Sequence, residues 1–191
     1  GSAYGISADA FAQYENSAVV KNTEVICSAT VSVTGKSSAY GVHFYNGDLT
    51  LDNATITAKV TDKTRSEYAY AVYASTGNNN IYITGKSKIT GNICSYDGTD
   101  KVSIESGSKF VGGITGFEVV ELIVNDAATA KQALWDVTDD FEDELDLDIK
   151  FDYGMTGDFL LATKKSGFDW DDVIDVTTTY RGTNITFKEA D

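Results

Sequence analysis

The sequence predicts a mainly β chain whose short strands stack unit upon unit as a solenoid, followed by a small acidic α+β cap. Three observations predict it. A tyrosine-bearing hexapeptide recurs as AYGISA at Ala3–Ala8, AYGVHF at Ala39–Phe44 and AYAVYA at Ala69–Ala74, at spacings of 36 and 30 residues. Each copy is followed by a loop of varying length and then by a stretch alternating apolar and polar residues: AVVKNTEVICSA (18–29), LTLDNATITAKV (49–60) and IYITGKSKITGNI (81–93). The last of these is written again 21 residues later, as VSIESGSKFVGGI (102–114).

Alignment of Val20, Leu51, Ile83 and Ile104 places Asn22, Asn53, Gly85 and Ser106 at a turn. The same alignment puts Val25, Ile56, Ile89 and Phe110 on the next strand, with one residue of slack before the latter two. Each unit therefore reads as short strand, turn, short strand, longer loop. Thr, Val, Ile and Tyr suit a pleated, half-buried surface, and Asn, Gly and Ser supply the conformations that corners need. No crossover helices separate the strands, which excludes a doubly wound α/β fold. Units of irregular length with constant local text favour stacking over an antiparallel sandwich, because insertions fall in loops while stacked strands must keep register. The solenoid is expected over residues 1–125, with FEVVELIV (117–124) as its last rung.

Residues 126–191 depart from this pattern. Asn125 or Asp126 can cap a helix, and Ala130, Leu134, Val137 and Phe141 recur at helical spacing, so a helix is expected there. LDLDIKF (145–151) alternates as a half-exposed strand, and FLLAT (159–163), VIDVTTTY (173–180) and NITF (184–187) read as further short strands. Together they form the expected cap, which would cover core side chains and strand edges at the end of the stack.

The chain has 191 residues, a formal charge of −14 and a pI near 4.3. The charge is local: residues 136–175 hold 14 acidic residues against Lys150, Lys164 and Lys165. Nucleic-acid binding is excluded as an expectation, since phosphates demand a basic surface. No apolar run approaches the roughly 20 residues of a membrane span, so this segment is not expected to insert into a membrane. Repeat text begins at once, which points to a piece of a longer chain. Cys27 and Cys94 lack the spacing of a zinc site and read as two small buried thiols, with one disulfide as the alternative.

Catalytic chemistry finds few parts. His43 is the single histidine, on the strand face opposite Val42 and Phe44. It has no G-x-S-x-G elbow to serve and reads as a solvent-facing or structural residue. A glycoside hydrolase needs two carboxylates facing one another across the sugar. In the repeat region Asp48, Asp52, Glu67, Asp97, Asp100 and Glu105 are instead scattered singly. No cofactor is expected. Calcium is the one ion the acidic text raises, at DDFEDELDLD (139–148) and at Asp169, Asp171 and Asp172. Both runs lack an EF-hand or β-roll pattern and read first as solvated acidic faces.

The text SAYGV of Ser38–Val42, followed by GDLTLDNATITA of Gly47–Ala58, resembles the right-handed parallel β-helix of bacterial surface adhesins and autotransporter passenger domains. That resemblance covers roughly residues 2–125 and carries over no catalytic residue. It implies an extracellular or bacterial cell-surface location and a non-catalytic structural and adhesive role toward a host glycan or surface protein. The alternative it raises is a carbohydrate-binding or carbohydrate-cleaving β-helix.

Stacking turns equivalent residues into ladders, and Tyr4, Tyr40 and Tyr70 are equivalent. Tyr45, Tyr68 and Tyr73 cluster around them, while Asn78, Asn79 and Asn80 add amides in a following loop. If exposed, these residues form an aromatic surface able to stack on sugar rings or a protein partner; if buried, the ladder is packing.

Overall fold

The computed structural model describes residues 2–8, 16–29, 38–60, 68–126, 128, 132–138, 145–156, 158–164 and 173–179. The chain passes through three walls in a fixed order. Its first turn is β1 (Ser2–Ala8), β2 (Asn16–Lys21) and β3 (Glu24–Ala29), and its second is β4 (Ser38–Phe44), β5 (Gly47–Asp52) and β6 (Thr55–Val60). The third is β7 (Tyr68–Ala74), β8 (Asn79–Thr84) and β9 (Lys88–Thr90). The fourth is β10 (Asn92–Ser95), β11 (Lys101–Glu105) and β12 (Lys109–Val111), and the fifth is β13 (Ile114–Thr115), β14 (Val119–Val124) and β15 (Trp135–Val137).

The first strands of successive turns form one sheet, β1-β4-β7-β10-β13; the second and third strands form the other two. Pairing is parallel throughout the described strands, as a stacked solenoid requires and an antiparallel sandwich forbids. Register is set by what faces inward. Val20, Leu51, Ile83, Ile104, Leu122 and Ile149 lie directly on one another in the second sheet. In the third sheet Val25, Ile56, Ile89, Phe110 and Trp135 do the same. In the first sheet the ladder is Ile6, Val42, Val72, Ile93 and Ile114. These three ladders meet in one continuous core. A slip of one residue would turn a whole strand's apolar set to solvent, and each buried Ile or Leu contributes about 1.5–3 kcal/mol.

Corners follow the alignment, with one shift. Asn22, Asn53 and Gly85 have φ of 51°, 51° and 69°, but in the next turn the left-handed residue is Gly107, at 94°, not Ser106. The extra residue in the fourth corner lets the bend fall one place later there. Asn53 Nδ2 donates to Asn22 Oδ1 at 2.7 Å, so the side chains stack at the corner as well.

The C-terminal half corrects the expected cap. Where a helix was expected, Trp135–Val137 is strand β15, paired with Phe110–Val111 of β12; Ala130 and Phe141 lie outside the described residues. Trp135 and Val137 both face the core, an alternation of period two that the helical spacing of Leu134 and Val137 conceals. The run 117–124 is not the last rung. The strand β16 (Leu145–Phe151) pairs in parallel with β14, β17 (Ala162–Lys164) with β15, and β18 (Val173–Thr179) with β16. The described residues beyond 125 thus prolong two of the sheets and contain no helix. The segment 145–151 alternates as expected, with Leu147 and Ile149 buried and Asp146, Asp148 and Lys150 less so. NITF (184–187) lies outside the described residues, as do acidic positions 139–144.

Candidate functional site

The recurrent AYG text is explained by the backbone of the first sheet. In β4 the side chains of Ser38, Tyr40 and His43 face outward, whereas Ala39, Val42 and Phe44 are buried. Strict alternation would put Tyr40 and His43 on opposite faces. The alternation breaks at Gly41, where the strand presses on its neighbours. A Cβ on Gly41 would lie 2.6 Å from Ile56 Cγ2 and 2.7 Å from the carbonyl oxygen of Ala71. The bend brings residues three apart onto one face, and it recurs at Tyr70 and Tyr73 of β7.

The result is a double column of rings. Tyr4 stacks on Tyr40 with centroids 4.9 Å apart and planes 10° apart, and Tyr40 stacks on Tyr70 at 5.7 Å and 21°. Beside them His43 lies 5.5 Å from Tyr73, and Tyr73 meets Tyr40 edge-on at 5.3 Å. Tyr45 closes the cluster with its ring 4.8 Å from His43. Tyr4 is 53% exposed, and Tyr40, Tyr45, Tyr70, Tyr73 and His43 are half-buried by one another. The geometry is that of offset and edge-to-face pairs, each contributing about 0.5–1.5 kcal/mol beyond its buried area.

Hydrogen bonding and charge fix the character of this face. His43 Nε2 and Ser75 Oγ are 2.7 Å apart, which orients the imidazole. Burial pushes the Tyr73 phenol above its usual range, and the Cys94 thiol and neighbouring phenols push the same way, so Tyr73 is neutral at physiological pH. The five strands of this sheet carry no Asp, Glu, Lys or Arg. In a chain of charge −14, this is an uncharged aromatic wall. It is suited to stacking and hydrogen bonding through phenol and imidazole, and it holds its rings on strands, not loops.

Of the expected binding residues, the structure brings Tyr40, Tyr45, Tyr70 and Tyr73 together. Tyr68 opens β7, and its side chain lies outside the described residues. The three asparagines are elsewhere. Asn79 is a correction: it is fully buried, facing inward with Ile81 and Ile83. Its Nδ2 donates to Gly77 O and to Asp100 Oδ1, both at 3.0 Å. Asn80 points from the second sheet and donates to Asp48 Oδ1 at 2.9 Å. Asn78 is exposed and accepts the Thr99 N–H at 3.0 Å. The residue that sequence reasoning set apart is His43, which takes the place in β4 that Tyr73 takes in β7. Alignment of AYGVHF with AYAVYA carries that signal.

Asp169, Asp171 and Asp172 lie outside the described residues. Among the described residues no group of three or more His, Cys, Asp or Glu converges as a metal site, and no described helix is long and apolar enough to cross a membrane. Cys27 and Cys94 are not joined in a disulfide; Cys27 is buried, whereas Cys94 is half-buried beside Tyr73 on the neighbouring strand. Comparison with protein-family models, with curated proteins and with solved structures found no match to this chain.

Proposed function

We propose that the chain is a non-catalytic structural and adhesive segment of a bacterial cell-surface or secreted repeat protein, wound as a right-handed parallel β-helix. In this reading the stack is a rigid stalk, and the tyrosine wall of its first sheet meets the partner, a host glycan or a surface protein. The observation that carries it is the double column Tyr4–Tyr40–Tyr70 and His43–Tyr73 on an uncharged face. Rings held on paired strands are pre-organised, so little conformational freedom is lost on binding. Tyrosine also supplies large contact area together with a polar tip.

A glycan array probed with the labelled chain, followed by Tyr40→Ala and Tyr70→Ala variants shown to be folded, tests the reading. Each variant is expected to weaken binding by about fivefold or more, the cost of truncating an interface residue that matters. Undiminished binding by the double variant would remove the wall from the account. The phenol and imidazole groups of the wall can hydrogen-bond sugar hydroxyls, which favours carbohydrate as the partner. Assay of reducing-end release on any bound glycan separates binding from cleavage.

A further inference from the structure

At the corner between the first and second sheets, a further column of side chains runs beside the tyrosine wall. Backbone bonds from Ser75 N–H to Phe44 O and from Tyr96 N–H to Ala74 O carry the strand register one residue past β4, β7 and β10. They set Tyr45, Ser75 and Tyr96 side by side in successive turns. This column reads aromatic, small, aromatic, whereas Tyr4, Tyr40 and Tyr70 follow one another without a break in theirs.

Neighbouring strands are about 4.7–4.9 Å apart, so the backbones of Tyr45 and Tyr96 are about 10 Å apart. Atom contacts of about 3.5–4.0 Å on each side fit one six-membered ring into that interval. Tyr96 is 75% exposed and, among the described residues, stacks on no other ring. The rings of Tyr4, Tyr40 and Tyr70 cover one another, so Tyr96 is where a ligand meets an open aromatic face. Tyr45 is held edge-on to His43 at 4.8 Å. The phenols of Tyr45 and Tyr96 both act on the Tyr73 phenol, which places the three around one patch of surface.

The floor of this interval is polar and reachable from solvent. Ser75 is half-buried, and its Oγ lies 2.7 Å from His43 Nε2. A hydroxyl has one donor and two acceptor sites, so Ser75 can take a second hydrogen bond. Beside Tyr96, Asp97 is exposed; its Oδ1 accepts Gly77 N–H at 3.2 Å, and its Oδ2 accepts none among the described residues. A carboxylate accepts hydroxyl protons but repels another anion. No Lys or Arg in the first sheet, or in the connections 45–46, 75–78 and 96–99, offsets that charge.

We infer that Tyr96, Ser75 and Asp97, with Tyr45 as the opposite wall, hold one neutral hexose unit of a glycan, an inference that rests on the reading of the tyrosine wall as a glycan-binding face. The sugar ring lays its C–H face on Tyr96 and gives hydroxyl protons to Asp97 Oδ2 and Ser75 Oγ. It takes the place in this column that a tyrosine ring takes in the neighbouring one. An acidic sugar is turned away by Asp97. The partner is thereby narrowed from glycans in general to neutral ones.

Titration of the full chain with methyl β-glucoside, methyl β-galactoside, methyl α-mannoside and glucuronate tests this through the amide shifts of Ser75 and Tyr96. Concentrations up to about 50 mM reveal a subsite contributing only a few kcal/mol. At least one hexoside is expected to shift those amides saturably, and glucuronate is not. Tyr96→Ala, at an exposed position, should weaken that binding by about fivefold or more with the unfolding temperature unchanged. Ser75→Tyr, which fills the column with a third ring, should abolish it. Asp97→Asn keeps the Oδ1 acceptor and should admit glucuronate. If glycan-array binding is lost in Tyr40→Ala and Tyr70→Ala while Tyr96→Ala and Ser75→Tyr bind like the parent, this site is overturned and the wall stands. Binding lost in Tyr96→Ala but undiminished in Tyr40→Ala and Tyr70→Ala removes the wall and keeps the corner site on its own. The inference is also overturned if no hexoside shifts those amides, if glucuronate binds the parent as well as the hexosides do, or if a tyrosine-rich peptide shifts them and the sugars do not.

Discussion

His43 lies three residues beyond Tyr40 on one strand, yet their ring centroids are 5.8 Å apart on the same face of the sheet. The bend at Gly41 makes this possible, because only hydrogen fits between Ile56 and the Ala71 carbonyl. Gly41→Ala is expected to destabilise the chain by about 1–3 kcal/mol, the range for overpacking. The near-ultraviolet circular dichroism of the tyrosine cluster should weaken in parallel, and urea unfolding provides the stability measurement. An unchanged midpoint and spectrum would show that β4 does not press on its neighbours as described.

Asp100 offers an inverted pH effect. It is buried, and burial lifts its carboxyl above the usual range against the opposing pull of the Ser95 hydroxyl and the Asn79 amides. Oδ1 accepts Asn79 N–H at 2.5 Å, but Oδ2, Asn79 Oδ1 and Ser95 Oγ have no partner of normal geometry. An acid whose folded pKa is raised contributes stability below its unfolded pKa, and that contribution is lost as pH rises through the folded value. Asp100→Asn keeps the Oδ1 acceptor and adds an N–H₂ for the orphaned oxygens. It is expected to raise the unfolding temperature at pH 7, with the advantage vanishing below about pH 3.9, the ordinary Asp value. A loss of stability at pH 7 would contradict this.

Glu121 titrates in the opposite sense. Burial would raise its pKa, but hydrogen bonds from Lys150 and Ser103, with the Lys101 ammonium 3.4 Å away, hold its carboxyl below the usual range. Its contribution is therefore present above the ordinary Glu pKa and lost as pH falls through the lower folded value. The lysines remain 32% and 41% exposed, so Glu121→Gln should cost about 1–2 kcal/mol at pH 7, not the 3–5 of a fully buried pair. Denaturant midpoints across pH should show the deficit shrinking as acidity increases. A deficit independent of pH would assign Glu121 a packing role only.

Trp135 tests the rung that replaces the expected helix. It is fully buried, stacked 6.1 Å from Phe110, and its Nε1–H donates to Gly112 O at 3.0 Å. With Trp170 changed to Phe, Trp135 is the sole tryptophan, and its emission should be blue-shifted and shielded from acrylamide. Trp135→Ala should cost about 3–5 kcal/mol. Red-shifted, freely quenched emission would contradict its place in the core.

The stack was legible because register leaves a trace in the text. Val20, Leu51, Ile83 and Ile104 align by eye since each must lie on the last. The features that leave little trace are short or interrupted. Three residues of strand at Trp135–Val137 give too few alternations to outweigh the helical spacing of Ala130, Leu134, Val137 and Phe141. Asn79 reads as loop within the run Asn78–Asn80, although the period two of Ile81 and Ile83 extends back to it. At His43 the bend broke the alternation on which face assignments rest. The aromatic wall was therefore half readable, its tyrosines from the repeat and its histidine only from the fold.

Methyl-to-methyl nuclear Overhauser contacts in Ile, Leu and Val-labelled protein test the in-register stack most directly. The account predicts one unbroken chain of contacts from Val20 through Leu51, Ile83, Ile104 and Leu122 to Ile149, each residue touching its counterparts in the turns before and after. Contacts pairing 49–52 with 55–58 as an antiparallel hairpin, with the Leu51–Ile83 link absent, would contradict it.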